Sequence, residues 1–205
     1  MPVQKHKVFI SYYHEDDQDF KNALLEANED FNLFDDYSVH EDEINDEGLT
    51  SEQIRRIIRD KYMQEATVLV LLCGQNTKRR KHIDWEIHTA MYDSDTNPKM
   101  GILVINLPNI NQSMIACGNN EEQIMGSQIH WTTLNKDKSY LQSHYSYLPN
   151  RIITNIARDD VSISIVDWDV IANDANKLIE LVDNAFNRRK TNNYDHSEPL
   201  RKNNN

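Results

Sequence analysis

The stretch TVLVLLC, Thr67 to Cys73, decides the fold. It is apolar at every position from Val68 onward, so a strand built from it needs cover on both of its faces. That is the signature of a central strand in a parallel sheet rather than of a half-solvated antiparallel one. Outward from it, helix and strand patterns alternate. KHIDWEIHTAM (81–91) follows with Ile83, Ile87, Ala90 and Met91 at helical spacing, and MGILVINL (100–107) is a second two-sided apolar strand. Upstream, TSEQIRRIIRDKYM (50–63) carries capping-box spacing at Thr50 and Gln53, with Ile54, Ile57, Ile58 and Tyr62 on one face.

At the start of the chain, KVFISY (7–12) reads as a buried strand. A helix follows whose apolar stripe is Phe20, Ala23, Leu24, Ala27 and Phe31, and FNLFDDYSV (31–39) is a second strand region. Between Pro108 and Asp160 no element is assigned. VSISIVDW (161–168) gives a last strand, and Ile171, Ala175, Leu178, Ile179, Val182, Ala185 and Phe186 mark a strongly amphipathic helix. Strands alternating with helices predict an α/β fold, an open parallel sheet with helices on both faces and right-handed crossovers. Residues 1–188 form one domain in this reading. Residues 189–205, ending in asparagines without apolar periodicity, are expected to be a disordered C-terminal tail.

Composition narrows the function. A net charge of -11 lacks the basic footprint of a nucleic-acid surface, and no segment offers the roughly 18 apolar residues of a membrane span. Two cysteines in unrelated contexts form neither a disulfide framework nor a zinc pattern, which suits the cytoplasm. No GxGxxG, GxxxxGK[ST] or GxSxG segment is present. His82 with Glu86 and Asp84 with His88 are spaced four apart, but the two pairs point in different directions and HExxH is missing, so no metal site is expected. The basic run KRRKH (78–82) reads as a solvated loop.

In a parallel sheet, ligands bind beyond the carboxyl ends of the strands. Ser11, Tyr12, Tyr13 and His14 end the first strand, and the acidic loop from His40 to Glu47 precedes the second helix. The loop after Cys73 leads into the helix of Glu86, a carboxylate at the margin of an apolar stripe. By pattern alone Glu86 is either a solvated margin residue or a cleft residue.

KVFISYYHEDDQDF resembles the opening of TIR domains, ATVLVLLCG their central strand, and DWEIHTAM the helix with the glutamate of NAD-cleaving TIR enzymes. The match is best with the TIR-like family of the Thoeris antiphage system, the ThsB proteins, over roughly 7–107. The fold it implies is TIR-like, that is flavodoxin-like. The activity it implies is cleavage of NAD between nicotinamide and ribose, forming a cyclic ADP-ribose variant that activates a separate effector. Glu86 takes the catalytic position, with Ser11, Tyr12, Tyr13, Asp42 and Trp85 as candidate substrate contacts. NAD is the substrate and no further cofactor is implied. A phage-derived trigger, an effector reached by a diffusible nucleotide and a homo-oligomer formed on activation are the implied partners, with no nucleic acid and no membrane. The alternatives are a non-catalytic interaction scaffold, or an NAD glycohydrolase or ADP-ribosyl transferase with a non-cyclic product. His82 stands where many TIR enzymes carry a tryptophan, and the acidic loop lacks their usual Arg and Pro.

Overall fold

A computed structural model describes residues 5–38, 48–50, 53, 56–95, 97–110, 116–117, 121, 124, 129–130 and 133–204. Strands β1 (Lys7–Ser11), β2 (Asp35–Asp36), β3 (Val68–Cys73), β4 (Gly101–Asn106) and β7 (Ser164–Asp167) pair in parallel in the order β2-β1-β3-β4-β7. Two short strands extend this open sheet. β5 (Ala116–Cys117) runs antiparallel to β7, and β6 (Ile129–His130) runs parallel to β5.

The two-sided apolar strands fill two separate layers, because successive side chains point to opposite faces. Phe9, Leu69, Leu71, Ile102, Val104 and Ile165 face one layer, against α2 (Lys81–Met91) and α4 (Asn150–Ile156). Val8, Ile10, Val70, Leu72, Leu103, Ile105 and Val166 face the other, against α1 (His14–Phe31) and α6 (Ala175–Arg188). At Gly101 the α6 backbone lies directly on β4. A Cβ there would stand 2.1 Å from the Ala185 carbonyl oxygen, so only glycine fits.

Several elements differ from the sequence reading. The second strand is reduced to two residues, and Ile10 N–H finds the Ser38 hydroxyl at 3.0 Å instead of a strand partner. The stripe of α1 is rotated: Asp17, Lys21 and Leu24 are buried, whereas Ala23 and Phe31 are exposed beside an apolar cleft formed with α6 and α5 (Trp168–Ala172). Asn32 ends α1 in the left-handed conformation with its N–H on Asn28 O. The capping box forms reciprocally, Thr50 N–H to Gln53 Oε1 at 2.8 Å and Gln53 N–H to Thr50 Oγ1 at 3.3 Å. Ile58–Met63 is a π-helical turn, while Ile54 lies outside the described residues.

The amphipathic helix near the end starts at its cap Asp174, whose carboxylate accepts from Asn176 N–H, and the residues before it form the separate α5. The unassigned region holds α3 (Lys138–His144), capped by Asp137, and α4, entered through Pro149. From Arg151 to Ile156 every α4 side chain is buried. With polar residues on buried positions, no amphipathic stripe was available to reveal it. Finally, residues 189–204 are not the expected loose tail. Asn192 and Tyr194 are buried, with the Tyr194 hydroxyl donating to Met100 O at 3.1 Å, because their polar groups find partners in the domain.

Candidate active site

The loops after β1 and β3 and the start of α2 meet at one rim of the sheet. β1 alternates so that Phe9 and Ser11 point to the α2 side, and Ser11 is the last residue of the strand. Its hydroxyl, buried at 1% exposure, donates to Glu86 Oε2 at 2.7 Å. Glu86 is half-buried, one position beyond the buried Trp85 and one before Ile87. Burial pushes its carboxyl up from 4.5 to about 7, opposed by the Ser11 hydrogen bond and by the positive charge of Lys21. A carboxylate whose charged form is penalised by burial, and which lies at the strand-end rim, is suited to receive a cation.

The neighbouring residues are arranged by local contacts. Tyr12 is half-buried, its hydroxyl donates to Gln18 Oε1 at 2.7 Å, and the ammonium of the buried Lys21 sits 4.9 Å from its ring centroid. Tyr13 occupies the N-cap position of α1 without a side-chain capping bond, and its hydroxyl donates to Glu15 while the Arg80 guanidinium stacks on its ring at 3.7 Å. Burial first, then the Glu15 bond, raises the Tyr13 phenol to about 12, so it stays a neutral donor.

Ser11 and Glu86 are thus brought into contact, and Tyr12 and Tyr13 stand at the same strand end. Trp85 is not brought to the rim. It is 1% exposed, packed in the core on the α2 side, and its indole N–H donates to Arg201 O at 3.0 Å. Consecutive helical residues point about 100° apart, so the residue next to an edge carboxylate falls into the core. Asp42 lies outside the described residues. Among the described residues, no group of three His, Cys, Asp or Glu side chains is placed to hold a metal ion.

Sequence reasoning missed a second polar centre at the same rim. Asp17 is fully buried and accepts from Asn109 Nδ2 at 3.1 Å, with Thr77 Oγ1 at 3.5 Å. Gly74 lies so close that a Cβ on it would stand 2.4 Å from Asp17 Oδ1. Asn76 donates to Asp16 at 2.7 Å and Gln75 to Asn109 O at 2.6 Å. These bonds lace together the first turn of α1 and the loops after β3 and β4. Burial raises the Asp17 carboxyl above its ordinary value. A signal was available: Asp17 and Lys21 occupy the i and i+4 positions before Leu24 at i+7, charged residues where a helix turns to its core.

The family model described as the TIR-like domain of the Thoeris protein ThsB matches residues 9–112. No curated protein matches the chain. Among solved structures, the TIR domains of the activated Roq1 resistosome directly recognizing the pathogen effector XopQ are similar at a TM-score of 0.42 and 13% identity. That alignment covers 88% of this chain and 98% of the other.

Proposed function

We propose, from the premise that the chain belongs to the TIR-like domain family of the Thoeris protein ThsB, that it cleaves NAD at the nicotinamide–ribose bond and closes the product into a cyclic ADP-ribose variant. The observation that carries this reading is the half-buried Glu86 carboxylate on the Ser11 hydroxyl at the strand-end rim.

The reaction asks for little proton transfer at the leaving group. The electron pair of the breaking bond returns to the pyridinium nitrogen, so nicotinamide leaves neutral and no general acid is needed. Positive charge then develops on the ribose, and one carboxylate can hold the ribose hydroxyls and stabilise that oxocarbenium-like state. Low local polarity strengthens the attraction. A cation entering the site also draws Glu86 into its charged form, so substrate and base activate one another. The ribosyl cation is next captured by a ribose hydroxyl, whose proton passes to the Glu86 carboxylate, or by an adenine ring nitrogen, whose added charge is relieved by loss of an amino proton to solvent. Water in the same place, giving up its proton likewise, yields ADP-ribose instead. Exclusion of water therefore selects the cyclic product. The nucleotide would act on a separate effector, and a phage-derived trigger with self-assembly would switch the reaction on.

The test is to incubate the purified chain with NAD and extract from phage-infected cells, following nicotinamide release and identifying the nucleotide by mass spectrometry. Nicotinamide release that Glu86→Gln abolishes, with the circular dichroism spectrum unchanged, is the expected result. Equal inertness of wild type and variant would make the chain an interaction scaffold. Linear ADP-ribose, or ADP-ribose on another acceptor, would keep the enzyme and discard cyclisation.

A further inference from the structure

Helix α2 begins without a cap of its own, because Arg80 at its N-cap position makes no side-chain capping bond. The missing acceptor comes from far along the chain: Lys81 N–H donates to Asn204 Oδ1 at 2.8 Å. Two more bonds join the same turn to the same segment. Arg201 N–H donates to Asp84 Oδ2 at 2.9 Å, and Trp85 Nε1–H donates to Arg201 O at 3.0 Å. All three grip residues 81, 84 and 85, immediately before Glu86.

The segment is itself held firmly from below. The fully buried Arg151 of α4 donates to both oxygens of Asp84, at 3.0 and 3.1 Å, and to Glu198 O at 3.0 Å. Asn155 and Asp195 exchange bonds, Nδ2–H to Asp195 O at 3.1 Å and Asp195 N–H to Asn155 Oδ1 at 2.8 Å. Thr154 Oγ1 donates to Glu198 Oε1 at 2.6 Å. Asp84 is therefore the shared acceptor of a core helix and of the final segment.

We infer that residues 192–204 form a positioning strap for the Glu86 helix, fixing the first turn of α2 against the sheet so that Glu86 meets Ser11. The strap touches no reacting atom. Its effect is geometric: a carboxylate that must face a ribose tolerates displacement of well under 1 Å before the rate falls steeply. The inference rests on the catalytic role proposed for Glu86, but its consequence for the Glu86 environment is measurable without turnover.

The full-length variant Arg201→Pro makes the test, since proline removes the N–H that Asp84 accepts and leaves α2 and the core unaltered. Arg201→Ala retains that N–H and the carbonyl, separating loss of the side chain from loss of the main-chain bond. Asn204→Ala, which removes the cap on Lys81, is the second strap variant. Three readouts are taken: amide exchange at 81–85, the titration of the Glu86 carboxyl by carbon NMR, and kcat and KM for NAD.

With Arg201→Pro we expect faster exchange at 81–85, a Glu86 midpoint moved down because the lost burial outweighs the lost Ser11 hydrogen bond, and kcat per folded molecule reduced about tenfold with KM within about twofold. Asn204→Ala should move each readout in the same direction, and Arg201→Ala should stay closer to wild type than Arg201→Pro. The inference is overturned if both strap variants leave the Glu86 titration unchanged, or if activity falls only in proportion to the folded fraction. Should wild type release no nicotinamide at all, the proposed reaction fails, while exchange and titration still decide the strap.

Discussion

In the proposed reaction, Glu86 concentrates the chemistry of the site in one ionisation. With its carboxyl at about 7, the charged form needed to face a cation is reached only as pH rises through neutrality. kcat/KM for NAD should therefore climb from pH 5.5 to 8 with a midpoint near 7, and kcat should show a lower midpoint because bound substrate favours the carboxylate. Ser11 lowers the Glu86 value through its hydrogen bond, so Ser11→Ala should move the kcat/KM midpoint upward, by on the order of one unit. Stability carries the opposite sign. A carboxyl raised on folding binds its proton more tightly in the folded chain between about 4.5 and 7, so its contribution is present at low pH and is lost as pH rises through about 7. Glu86→Gln should consequently stabilise the protein by about 1–2 kcal/mol at pH 8 and by little at pH 4.5, read as urea midpoints. The meeting of Ser11 and Glu86 was legible in the sequence, because the end of β1 and the first turns of the helix that follows its parallel neighbour β3 converge by topology. Asp17 and Lys21 were legible only as an exception, charged residues at core-facing spacing that break the apolar pattern from which helical faces are read.

At the scale of elements, the strands were the easiest to read. Both faces of β3 and β4 are covered, so each announces itself as an unbroken apolar run. Helix α4 escaped because Arg151, Thr154 and Asn155 are buried through hydrogen bonds rather than apolar packing. A close inter-element contact is equally invisible to periodicity: Gly101 on β4 admits the backbone of α6 at Ala185. Gly101→Ala should destabilise the chain by about 1–3 kcal/mol or more, since the atoms in the way belong to backbone and cannot swing aside. Thermal unfolding followed by circular dichroism measures this, and a Tm unchanged within error would contradict the packing described.

Across the whole molecule, the buried Arg151 ties α2, α4 and the final segment together. Arg151→Met should leave Asp84 without its main cation and cost about 3 kcal/mol, seen as a lower urea midpoint. Nothing in the residue pattern hints at this union, for a stretch such as TNNYDHSEPLRKNNN has no periodicity and reads as solvated. Its order comes instead from individual polar groups matched to partners on distant elements. That matching has a temporal side. The cap on Lys81 is supplied by Asn204, 123 positions later. At roughly 5–20 residues per second of synthesis, Lys81 is added to the chain about 6–25 s before its partner is made. The helix that carries Glu86 thus spends its first seconds without the Asn204 cap on its leading turn, and if the final segment positions that helix as inferred, the sheet can assemble before the site is complete.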